Sequence, residues 1–164
     1  VSHSAVDEEE SAMAGSTSVA TERAPSLLYA IKQVELAVRA RLDELLRPHG
    51  ITALQYTALT VLERRDGLTN AELARNSFVT PQSMGDLVTA LERRGLVVRA
   101  VDPEHGRRLR ISLTPAGQAL LAGLDPDVTA LESRMLAQLD AGERETFREQ
   151  LNRCRTALTA ESAR

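Results

Sequence analysis

The chain has 164 residues, 20 basic and 23 acidic side chains, a formal charge of −3, and 43% apolar residues. That length supports one domain with a real core and is short for two. With no Trp, two Phe and two Tyr, the core must be built from Leu, Val and Ala, of which Leu and Ala also favour helix.

The N-terminal stretch VSHSAVDEEESAMAGSTSVATERAP is polar, small and acidic without periodicity. Residues 1–24 are therefore expected to form a disordered acidic tail, because such a segment cannot bury enough surface to offset its ordering entropy. Acids stand where a signal peptide has its basic and apolar regions, and no apolar run approaches the roughly 18 residues of a membrane span. A cytoplasmic protein is expected. From Pro25 onward Leu28, Ile31, Val34, Val38, Leu42, Leu45 and Leu46 recur at steps of three or four, predicting a long amphipathic helix that ends near Pro48-His49-Gly50.

Thr52 and Gln55 have capping-box spacing and open a second helix running to about Arg65, with Tyr56, Leu59 and Leu62 on its apolar face. Thr69 and Glu72 repeat the box before a helix of two turns, which Asn76-Ser77 breaks. Thr80-Pro81 is an N-cap hydroxyl followed by a proline at the first helical position. In that helix Met84, Leu87, Val88 and Leu91 form an inward stripe, Gln82, Ser83, Asp86, Thr89 and Arg93 face outward, and Gly95 supplies a left-handed stop.

Leu96–Val101 favours strand and Leu109–Leu113 alternates strictly, so the two predict a hairpin joined by Asp102-Pro103-Glu104-His105-Gly106-Arg107-Arg108. Thr114-Pro115 opens another helix, with Leu120, Leu121 and Leu124 on its face, which Pro126 is expected to kink or interrupt. The pattern resumes at Val128, Leu131, Met135 and Leu139, and Asp140 with Glu143 caps a last helix carrying Phe147, Leu151, Cys154 and Leu158. The fold class that follows is mainly α with a small β-hairpin: helix, turn, helix, then a basic wing, the outline of a winged helix-turn-helix that reads duplex DNA.

Charge has to be read by region. Residues 1–25 carry a local −4, the remainder +1, and residues 91–110 a local +3 from Arg93, Arg94, Arg99, Arg107, Arg108 and Arg110 against three acids. Nineteen of the twenty basic residues are Arg, the side chain suited to bidentate phosphate and guanine contacts.

The outward face of the Thr80 helix is the first candidate site. A recognition helix needs short polar side chains near its N-terminus: Gln pairs with adenine through its amide, and Ser or Thr contacts a base, a phosphate or a thymine methyl. The DNA-binding candidates are Thr80, Pro81, Gln82, Ser83, Met84, Asp86, Thr89 and Arg93, with Arg107 and Arg108 at the wing tip for a narrow minor groove. Arg99 is expected to be structural, paired with Asp102 or another wing acid. His3, His49 and His105 fall in no Cys-His, Ser-His-Asp or H-E-x-x-H spacing, and no phosphate-binding glycine loop is present, so no enzyme, metal site or cofactor is expected. Cys154 continues an apolar stripe between Arg153 and Arg155 and is expected to be a buried core cysteine; a redox-sensing thiol is the alternative.

With these residues in place, the chain resembles the MarR family of bacterial transcriptional regulators over nearly all of residues 26–160. The segments that carry the likeness are ITALQYTALTVL, LTNAELARNSFVTPQSMGDLVTALERRGLVVR and DPEHGRRLRISLTPAG. The last is similar to the family's wing signature at Arg107, Leu113-Thr114 and Gly117; His105 stands where that signature has the Asp that braces the wing, leaving Asp102 or Glu104 as substitutes. The resemblance implies one domain over residues 25–164, with dimerisation helices at 25–50 and 114–160 and the DNA-binding part at 52–113. It implies a homodimeric repressor on double-stranded DNA, released from a pseudo-palindromic operator by a small aromatic or phenolic effector. Tyr29, His49, Tyr56 and Leu59 mark the neighbourhood for that ligand. Two alternatives stay open: a winged-helix module for protein contacts, and a thiol-based regulator acting through Cys154.

Overall fold

The computed structural model describes residues 24–161, so all but the last residue of the expected acidic tail lies outside the described residues. The element order is α1 (Leu27–Leu46), a 3-10 turn (Arg47–His49), α2 (Ala53–Arg64), α3 (Asn70–Asn76), α4 (Pro81–Arg93), β1 (Val97–Val101), β2 (Leu109–Leu113), α5 (Pro115–Met135) and α6 (Ala141–Glu161). The two strands pair antiparallel, Val97 opposite Leu113 and Val101 opposite Leu109.

Local chemistry sets most of these boundaries. Thr52 with Gln55 and Thr69 with Glu72 form reciprocal capping boxes, each satisfying two backbone donors that a helix start leaves open. Thr80 and Thr114 accept from the N–H three residues on, ahead of Pro81 and Pro115. Asp140 and Glu143 exchange the same bonds at 2.9 and 2.8 Å. Gly50 and Gly95 turn the chain at φ of 66° and 69°, where a side chain would be strained.

The core gathers Leu46, Leu59, Leu62, Leu73, Met84, Val88, Leu91, Ile111 and Leu124, all fully enclosed between α1–α5 and the hairpin. The isolated bridge Leu68–Ile111 fastens the hairpin to the segment before α3. Pro126 does not interrupt α5, which continues to Met135. Proline there removes one hydrogen bond, whereas Leu121, Leu124 and Val128 on either side hold the helix on the core.

On α1 and α6 the apolar stripes find no cover among the described residues. Leu27, Leu28, Tyr29, Ile31, Val34 and Leu36 of α1 are exposed, as are Phe147, Leu151 and Leu158 of α6. Cys154 is exposed as well, against the expectation of a core position. Its stripe is real, but among the described residues nothing covers Cys154 on that side of α6.

Candidate nucleic-acid interface

α4 is held by one face and open on the other. Met84, Val88 and Leu91 are fully buried, while Pro81, Gln82, Ser83, Asp86, Thr89 and Arg93 are exposed. Met84 therefore leaves the set of candidate base contacts: its side chain is 0% exposed and packs under the helix. Gln82, Asp86 and Arg93 lie on one stripe, and their side chains make no hydrogen bond or ion pair among the described residues. The Thr80 hydroxyl is engaged in the cap, accepting from the Ser83 N–H at 3.2 Å and donating to Ser83 Oγ at 2.9 Å. Ser83 keeps its own hydroxyl proton for a partner outside the chain.

Three side chains fix this helix, none of them legible as a motif. The Asn70 amide donates to Pro81 O at 2.8 Å, tying the starts of α3 and α4 together. Arg94 at the far end donates to Gly50 O and, at 2.7 Å, to His49 O, joining α4 to the corner between α1 and α2. Arg99 of β1 lies across the side of α4: it pairs with Glu92 at 2.8 Å and donates to Thr89 Oγ1 at 3.0 Å. Arg99 is thus structural, but its partner is on α4 and not the wing acid expected. The Thr89 hydroxyl in turn donates to Gly85 O at 2.8 Å, so its methyl is the part left to meet a ligand.

The wing is braced at its base. Asp102, 2% exposed, pairs with Arg110 at 2.8 Å, and Arg110 also donates to Gly67 O at 2.8 Å. The Glu104 N–H donates to the other Asp102 oxygen at 3.0 Å. Asp102 therefore supplies the bracing carboxylate, with Arg110 as partner, while His105 Nδ1 stands 3.8 Å from it. Arg107 and Arg108 are left exposed at the tip without a pairing group among the described residues.

The Glu104 N–H, then the Arg110 guanidinium, hold the Asp102 carboxyl below the usual carboxylate range, outweighing the opposing effect of burial. A depressed folded pKa means that the stabilisation is present above the unfolded value and is lost as pH falls through the folded one. Unfolding midpoints followed from neutral pH downward should thus fall below about pH 4. Asp102→Asn should be less stable at neutral pH and lose less on acidification; an unchanged acid profile in the variant would assign the loss to other carboxylates.

The four residues proposed for a ligand do not converge within one chain. Leu59 belongs to the closed core and His49 is exposed in the 3-10 turn. Tyr29, exposed near the start of α1, is about 26 Å along that helix from its His49 end. Tyr56 lines a cleft between α2 and α5 with Thr60, Glu63, Leu121 and Asp125, where burial, then the Asp125 and Glu63 charges, raise its phenol pKa. A separate open groove of about 290 Å³ runs between α1 and α2, lined by Ile31, Val34, Val38, Leu42, Leu54 and Thr57 with Glu35 and Arg39 at its edge. Among the described residues no helix is long and apolar enough to cross a membrane, and no cluster of His, Cys, Asp and Glu could hold a metal.

Comparison with known proteins agrees with this architecture. Residues 49–108 match the model of the MarR family. The HTH-type transcriptional repressor Rv2887 of Mycobacterium tuberculosis is 34% identical over 125 residues, 76% of this chain and 90% of that protein. The crystal structure of Rv2887 with salicylic acid superposes with a TM-score of 0.65 at 34% identity, covering 81% of this chain and 98% of the other. A complex of Staphylococcus aureus MepR with DNA gives 0.71 at 26% identity over 81% of this chain and 96% of the other. This chain belongs to the MarR family and is a DNA-binding transcriptional regulator with a winged helix-turn-helix.

Proposed function

We propose that the protein is a homodimeric repressor on a pseudo-palindromic operator, with α4 of each protomer in a major groove and the Arg107-Arg108 wing tip over the flanking minor groove. The observation that carries this reading is the division of α4 into a buried apolar face and an exposed polar face, on which the Gln82, Asp86 and Arg93 side chains have no partner among the described residues. A helix so anchored presents fixed side chains to base edges, and its N-terminal N–H groups favour a phosphate beside them. Half-site centres then lie about 10 bp apart, one turn of the duplex.

Dimerisation is supported by the exposed stripes of α1 and α6, apolar surface that a lone protomer would leave in water. Release by a small aromatic acid is supported by the salicylate bound to the Mycobacterium relative. In this chain the open groove between α1 and α2 offers an aromatic ring an apolar surface, and a carboxylate there would meet Arg39 in competition with Glu35, its partner at 2.8 Å.

The test combines sedimentation with binding to duplexes flanking the protein's own gene, over a range of salt and with and without salicylate. A dimer, steep salt dependence and weaker binding with salicylate are expected. Arg107→Ala should reduce the slope of log affinity against log salt by about one for each phosphate charge it neutralises. An unchanged slope at full affinity would remove the wing from the mechanism, and no salt-dependent duplex binding at all would leave a protein-interaction module.

A further inference from the structure

The turn between α3 and α4 is a helix stop of the kind that ordinarily falls to glycine. The Ser77 N–H bonds to Leu73 O at 2.9 Å, and the Val79 N–H reaches back to Ala74 O at 3.1 Å. Phe78 lies between them at φ 57°. This is a Schellman closure with Phe78 at the left-handed position, where a bulky side chain is strained and Gly or Asn is not. Among the described residues, Gly50, Gly67 and Gly95 share that backbone region, and Phe78 is the one that carries a side chain.

The chain gains nothing visible from the strain. Ser77 turns inward and Val79 packs against the core, but Phe78 is 76% exposed. Glycine would relieve both the backbone strain and the exposure of a large apolar ring to water. The use of phenylalanine therefore points to a bound state. Its place names the partner: Phe78 stands two residues before the Thr80 cap of α4, next to the polar N-terminal face that carries Gln82 and Ser83.

We propose that Phe78 is a duplex contact, its ring packing on apolar DNA surface, the 5-methyl group of a thymine or the carbons of a deoxyribose, beside the N-terminus of α4. The contact adds shape and methyl recognition without charge. The proposal rests on the reading of α4 as the DNA-binding helix.

Full-length wild type, Phe78→Gly and Phe78→Leu should be compared for denaturant midpoint and for affinity toward a duplex selected by the wild type from a random pool. Phe78→Gly should be at least as stable as wild type yet bind about tenfold more weakly with an unchanged salt slope, since no phosphate charge is lost. Phe78→Leu, equally strained but still apolar, should keep most of the affinity. Replacing thymine by uracil in the duplex distinguishes the two DNA partners: a loss for wild type but not for Phe78→Gly identifies the methyl, and no loss for either assigns the contact to deoxyribose. Full affinity in Phe78→Gly overturns the proposal, as does a loss of stability in step with affinity or a change of oligomeric state with DNA binding intact. If the wild type selects no duplex, the reading of α4 fails and Phe78 with it; if it selects one and Phe78→Gly binds equally, only Phe78 fails.

Discussion

Gly117→Ala is expected to lower stability by about 3 kcal/mol or more, and with it the thermal midpoint by roughly 6–12 °C for a chain of this size. A Cβ at Gly117 would lie 2.2 Å from Leu96 O and 3.2 Å from Leu113 Cδ2. The first obstacle is backbone, which cannot swing aside as a flexible side chain would. Relief requires α5 to move off the start of β1, and that movement strains the bonds that seat it: Thr114 N–H to Leu96 O at 3.1 Å, and Thr114 Oγ1 to Gly95 O. The loss is large against the roughly 5–15 kcal/mol of a typical domain. Gly123→Ala in the same helix is the control. Nothing lies within 4 Å of a Cβ there, so alanine should stabilise by about 0.5–1 kcal/mol. Calorimetry of both variants checks the argument; a Gly117→Ala protein as stable as wild type would show that the α5–β1 junction yields easily.

The close approach of Gly117 is not legible in the sequence: the family resemblance marks the residue as part of the wing signature but gives no reason for it. Helix starts were readable because caps are local: Thr52 with Gln55, Thr69 with Glu72, Thr80-Pro81, Thr114-Pro115 and Asp140 with Glu143 each declare a boundary within four residues. The hairpin was readable from alternation and the helix stop at Gly95 from its residue type. Interactions that close over long sequence distances were not. Arg94 binds carbonyls 44 and 45 residues away, and Arg110 bridges Asp102 to Gly67, 43 residues before it. Phe78 carries no such signal, because its left-handed backbone wears the wrong residue for that conformation. Cys154 shows a different limit: periodicity reveals that a helix has an apolar face, but not whether the same chain covers it. Met84 sits at the N-terminal turns that a recognition helix exposes, yet the 3.6-residue period turns it into the core.

The second large effect is expected at Gln82, where Ala should weaken binding to the selected duplex by about 1–3 kcal/mol, roughly 5- to 150-fold. Gln82 is exposed at the second position of α4, and its amide has no partner among the described residues. Burial of Met84 and Val88 and the Asn70 bond to Pro81 fix the helix beneath it, so little ordering is left to be done at binding. An amide carries a donor and an acceptor side by side, the pattern presented by adenine N6 and N7 in the major groove. Because the residue is neutral, Gln82→Ala should leave the salt slope unchanged while relaxing preference at one or two base pairs, the reverse of Arg107→Ala. Selection from a random duplex pool, followed by affinities on the wild-type site and on single-base variants, separates the cases. A loss equal on every sequence would assign Gln82 to the phosphate backbone, leaving Ser83, the Thr89 methyl and Arg93 to read the bases.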